Sequence, residues 1–116
     1  MRNLKYSLEY FCSPIWIEED NENPIYLNIE IDVLEIDYHL KDEINTLNNI
    51  YQSKYNDNYP PEPYAFSIAE EIIFITRIIT SSKILIELLK NQYNVIFDNI
   101  YWEQKLTELI KELENK

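Results

Sequence analysis

The sequence predicts an α+β fold in which antiparallel strands come first and helices follow, and three observations carry that prediction. Residues 25–33 alternate without exception, with Ile25, Leu27, Ile29, Ile31 and Val33 on one side and Tyr26, Asn28, Glu30 and Asp32 on the other. A period of two is the signature of a strand with one buried face. After Asp37 the period changes: Leu40, Ile44, Leu47 and Tyr51 step by 4, 3 and 4, one stripe of a helix. Upstream, residues 4–11 and 14–18 are rich in aromatic and β-branched side chains.

Taken in order, the first two strands span about 4–11 and 14–18, interrupted at Ser13-Pro14. Asp20-Asn21-Glu22-Asn23-Pro24 reads as a turn in which Asn and Asp replace glycine. The third strand is 25–33. The first helix runs from about 38 to 55, where the segment 56–64, with three of the five prolines, breaks it. Ser67-Ile68-Ala69-Glu70 matches a capping box, in which the Ser oxygen accepts from the Glu amide and the Glu side chain reaches back. A helix over 67–80 follows, with Ile68, Ile72, Ile75 and Ile79 on one stripe; the β-branched run 72–80 leaves a strand open as the alternative. Thr80-Ser81-Ser82 restarts a helix over 82–92, with Asn91 or Asn94 as a left-handed stop. Asp98 or Asn99 caps the last helix, 99–114, in which Trp102, Leu106, Leu109 and Leu113 share a stripe. The whole chain, 1–116, forms a single domain with three or four helices.

Composition excludes more than it identifies. The chain contains no glycine, where average usage of about 7 % would give roughly eight. Phosphate-binding loops, dinucleotide fingerprints, nucleophile elbows and EF-hand loops all need glycine for their backbone geometry, and none can be built here. One Cys and one His supply no metal cluster and no disulfide framework. The longest purely apolar run, Ile72–Ile75, is far too short to span a bilayer, and the N-terminal residues lack a secretory apolar stretch. A cytoplasmic protein is the expectation, with Cys12 suited to a reducing compartment.

The acid is concentrated. Residues 18–43 carry ten acids against Lys41 alone, a balance of −9 within a total of −11. Phosphate binding needs a basic footprint, so nucleic acid is excluded as a partner, and an anionic membrane is disfavoured likewise. A basic protein partner fits. Cys12 and His39 lack any glycine-lined oxyanion loop and read as a small core or half-buried residue and a helix-start surface residue. Paired carboxylates are everywhere in so acidic a chain and do not single out acid–base chemistry. No catalytic, cofactor-binding or metal-ligating residues are assigned. Ten tyrosines are many, and Tyr51, Tyr55, Tyr59 and Tyr64 flank the proline-rich connection, either as interface rings or as caps on the core.

The opening Lys5-Tyr6-Ser7-Leu8-Glu9-Tyr10-Phe11-Cys12-Ser13-Pro14-Ile15-Trp16-Ile17, followed by an acidic turn, a helix and a helical second half, resembles immunity proteins of bacterial polymorphic toxin and contact-dependent growth-inhibition systems. The resemblance implies a small, non-catalytic cytoplasmic antitoxin that needs no cofactor and binds a cognate basic toxin domain, commonly a nuclease. A nuclease site must hold phosphates and is basic, so an acidic surface is the complement such an inhibitor needs. The candidate toxin-binding residues are Glu18, Glu19, Asp20, Glu22, Glu30 and Asp32, with Trp16 or Tyr26 as aromatic anchor. The alternative is another acidic protein-binding inhibitor or adaptor, such as a nucleic-acid mimic.

Overall fold

The computed structural model describes residues 1–19, 25–54 and 67–116. Among these residues, four strands and three helices follow one another as β1 (Arg2–Tyr6), β2 (Ile15–Glu18), β3 (Tyr26–Ile29), a 3₁₀ turn (Ile31–Val33), α1 (Tyr38–Lys54), α2 (Ile68–Leu89), β4 (Tyr93–Ile96) and α3 (Asn99–Glu114). The class is α+β, as the sequence predicts. The strands form one mixed sheet in the order β3-β2-β1-β4. The β1–β2 and β2–β3 pairs are antiparallel, and β1–β4 is parallel.

Helices α1 and α3 lie where their stripes put them. In α1, Leu40, Ile44 and Leu47 are buried. Asp37 caps that helix, its Oδ1 accepting from the amides of His39 at 2.8 Å and Leu40 at 3.4 Å. Asp98 caps α3 by accepting from the Tyr101 amide. Trp102, Leu106 and Leu109 pack on the core, whereas Leu113 is exposed. The capping box of α2 forms in full, with Ser67 Oγ accepting from the Glu70 amide and Glu70 accepting from the Ser67 amide.

Four expectations need correction. The first strand ends at Tyr6 rather than at 11. The chain leaves the sheet there because Phe11 takes a left-handed conformation (φ 57°), and Gln52 and Asn48 of α1 hold the backbone of residues 9–12. The third strand stops at Ile29, and Glu30 opens the 3₁₀ turn, so Ile31 is fully buried while Ile25, Leu27 and Val33 are exposed. Of β3, Ile29 packs against the core while Ile25 before it and Leu27 within it stay exposed, so the predicted five-residue face is not realised. The two middle helices are one. Ser81 and Ser82 donate their hydroxyls to the carbonyls of Ile78 (2.7 Å) and Ile79 (2.6 Å), satisfying them inside the helix, and 72–80 is helical rather than extended. Finally, no left-handed stop occurs at Asn91 or Asn94. The Gln92 amide bonds to the Leu89 carbonyl at 2.8 Å, and the chain enters β4, a strand the sequence reading assigned to helix end and linker.

One cluster holds these elements together. It joins Leu4, Tyr6 and Ile15 of the sheet to Ile31, Leu34, the α1 stripe, and Phe74, Ile75, Ile78, Leu85 and Leu89 of α2. Burial of these aliphatic and aromatic side chains is the main favourable term in the fold.

Candidate functional site

Because side chains alternate along a strand, the register assigns every residue of the sheet to a face. Leu4, Ile17, Leu27 and Val95 stand in one row and Tyr6, Ile15 and Ile29 in another, on the face that carries the helices. The opposite face presents Asn3, Lys5, Trp16, Glu18, Tyr26, Asn28, Asn94 and Ile96, and none of these belongs to the core cluster. Asn94 Nδ2 donates to Asn3 Oδ1 and Asn3 Nδ2 donates to Glu18 Oε2, each at 2.8 Å, a polar ladder across three strands. The Lys5 ammonium lies 5.9 Å from the Trp16 ring centre and 6.0 Å from that of Tyr26, so one cation tethers both aromatic rings. Asn28 holds the preceding turn, its amide group donating to the carbonyls of Ser13 and Ile15 while its oxygen accepts from the Ser13 amide.

The structure thus brings Trp16, Glu18 and Tyr26 together on one open sheet face. Glu19 follows at the edge, exposed, its amide bonded to the Ile25 carbonyl at 2.9 Å. Asp20 and Glu22 lie outside the described residues, as do Tyr55, Tyr59 and Tyr64. Glu30 and Asp32 are not on that face, because β3 has ended. Glu30 turns toward the loop before β2 and accepts from Ser13 Oγ at 2.8 Å. Asp32 sits in the 3₁₀ turn, and its carbonyl accepts from Lys41 Nζ at 3.3 Å.

From there an exposed acidic strip continues through Glu35, Asp37 and Asp42. Among the described residues, Glu19, Glu30, Asp32, Glu35 and Asp42 form no ion pair, and Asp37 faces only the exposed His39 at 3.5 Å. The sequence reading counted these acids in the −9 segment but did not select Glu35, Asp37 or Asp42. The change of period at Asp37, which places them around a helix start, was the available signal. Lys5, Asn3 and Asn94 were also missed, because their juxtaposition depends on β4.

Cys12 is half-buried in the turn before β2, and His39 is exposed at the start of α1. Among the described residues, no three His, Cys, Asp or Glu side chains converge to hold a metal ion. Among the described residues, the ionisable group most shifted is the Tyr6 phenol, pushed above its ordinary value by burial between sheet and α2. Glu43 is held below the usual carboxylate range by its hydrogen bonds from the Arg77 guanidinium. Both act between elements of the fold.

A family model described as Serratia CdiI immunity protein-like matches residues 2–100. The chain belongs to that family. It is an immunity protein of a contact-dependent growth-inhibition system, and its partner is the cognate toxin. The match spans the whole sheet, α1 and α2, the elements that build the open face and the acidic strip. No curated protein matches the chain. Among the described residues, no helix of the immunity protein is long and apolar enough to cross a membrane.

Proposed function

We propose that this immunity protein neutralises a basic nuclease toxin domain in the cytoplasm by binding it through its acidic side, with no catalysis of its own. The supporting observation is the −9 balance of residues 18–43, whose exposed carboxylates at Glu19, Glu30, Asp32, Glu35 and Asp42 lack cationic partners among the described residues. A surface that keeps so many like charges unpaired has a long-range field to which a phosphate-binding cleft is complementary. Trp16 and Tyr26, on the sheet face beside Glu18, are the aromatic anchors of the complex. Such residues bury large area at small entropic cost.

The test compares two charge reversals. Changing Glu18, Glu19, Asp20 and Glu22 to Lys, or Glu103, Glu108, Glu112 and Glu114 to Lys, moves the net charge from −11 to −3 in either case. Association with the purified cognate toxin domain, measured by stopped flow at low salt, should be about 10⁸ M⁻¹s⁻¹ for the natural chain and fall steeply with ionic strength. The first variant should associate at least tenfold more slowly and fail to protect toxin-producing cells, and the second should change little. Equal losses in both would mean that only overall charge matters and would refute the site.

A further inference from the structure

Helices α1 and α2 run antiparallel, with Lys54 paired to Glu71 and Glu43 to Arg77. At that register the first turn of α1 stands beside Thr80 and Ser81, and the rest of α2 runs on past it. The overhang leaves Ile84 and Leu88, one turn apart on a single stripe, each 45 % exposed. They form one wall of a groove of about 500 Å³, whose other wall is Asp37, His39, Leu40 and Glu43, with Thr80 between them. Arg77 also lines the groove, but its Nε and Nη2 are bonded to the two Glu43 oxygens at 2.9 and 2.5 Å. The groove is therefore apolar within, and its mouth carries Asp37, exposed and 3.5 Å from the exposed His39, beside the Glu43–Arg77 pair.

We propose that this groove receives an apolar side chain of the cognate toxin domain, carried on a segment where Lys or Arg flanks that residue. The proposal rests on the acidic-surface reading above and adds a place and a residue chemistry to it. Charge complementarity identifies the occupant. An apolar residue alone would satisfy Leu40, Ile84 and Leu88, but Asp37 at the mouth and a chain of net charge −11 favour neighbours of positive charge. A second copy of the chain would bring −11 against −11. A volume of about 500 Å³ lies in the range of pockets that enclose a whole small ligand, so one large aromatic or aliphatic side chain fits with its flanks at the rim.

The experiment is an Ile84→Gln/Leu88→Gln double variant, with Ile110→Gln/Leu113→Gln on α3 as the control of equal chemistry and similar exposure. Glutamine keeps helix propensity and adds no charge. Both are checked by thermal melting, and Leu88→Gln alone serves if the double variant fails to fold. Dissociation from the immobilised cognate toxin domain should be at least tenfold faster for the groove variant, with the control within twofold of the natural chain. Equal rates for groove and control variants would overturn the groove. If those rates are equal while the Glu18/Glu19/Asp20/Glu22 reversal still abolishes association, the groove falls and the acidic surface stands. A natural chain that does not bind the toxin domain overturns both. A natural chain that sediments as a dimer, with the groove variant monomeric, identifies a second copy as the occupant and also overturns the proposal.

Discussion

Replacing Tyr6 by Phe removes a hydroxyl at the seam between β1 and α2, and the structure sets both the size and the pH dependence of the loss. Tyr6 OH lies 2.9 Å from Ser81 Oγ, and Ser81 Oγ donates its single proton to the Ile78 carbonyl at 2.7 Å. Tyr6 is therefore the donor and Ser81 the acceptor. Both residues are 2 % exposed. Tyr6→Phe leaves Ser81 still donating to its carbonyl, so the loss should be that of one net hydrogen bond, about 1 kcal/mol. Ser81→Ala strands the phenol in the core without a partner and should be worse, about 2–3 kcal/mol. The double variant should lose less than the sum of the two, because the stranded donor is gone. Burial raises the Tyr6 pKa in the folded state, so this group's stabilising contribution is fully present below the unfolded value, about 10, and is lost as pH rises above it. At pH 11 the unfolded phenolate gains about 1.4 kcal/mol relative to a fold that keeps Tyr6 protonated. The advantage of the natural chain over Tyr6→Phe should thus be about 1 kcal/mol at pH 7 and vanish near pH 11. Urea melts of the four chains at pH 7, 9 and 11 measure this. A difference that stays constant across pH, or a Tyr6→Phe loss larger than that of Ser81→Ala, would refute the reasoning.

Ile31→Asp, at a fully buried position, should cost several kcal/mol, whereas Ile25→Asp, at 59 % exposure, should lie within about 0.5 kcal/mol of the natural chain; equal effects in urea melts would restore the continuous strand over 25–33. Phe11→Asn should stabilise the chain by about 0.5–1 kcal/mol, because the left-handed backbone at φ 57° penalises a bulky residue and Asn tolerates it. The ring is 81 % exposed, so little packing is lost, and differential scanning calorimetry should show a melting point a few degrees higher.

Much of this architecture was legible in the residues themselves. The Leu40–Ile44–Leu47 stripe, the Asp98 cap and the Ser67–Glu70 box each depend on neighbours within one or two turns, and each was found where its spacing put it. The same is true of the strongest functional signal, the run of acids from Glu18 to Glu43, because charge is counted along the chain. What tertiary structure alone decided is how distant segments meet. Whether Tyr93–Ile96 is a strand depends on β1, ninety-one residues away, offering a free edge in parallel register. Whether Ser81 interrupts a helix depends on Tyr6 and Ile78 satisfying its hydroxyl in the core. Whether Ile25, Leu27 and Val33 are buried depends on which residues the core reaches, and it takes in Ile29 and Ile31 but not these three. The acids were divided in the same way: the end of β3 leaves Glu18 beside Trp16 and Tyr26 and sends Glu30 and Asp32 toward α1. Local patterning encodes periodicity, caps and charge because the interactions behind them span a few residues. Pairing, coverage and the shape of a binding surface come from contacts between segments far apart in the chain, and no short window of sequence contains those.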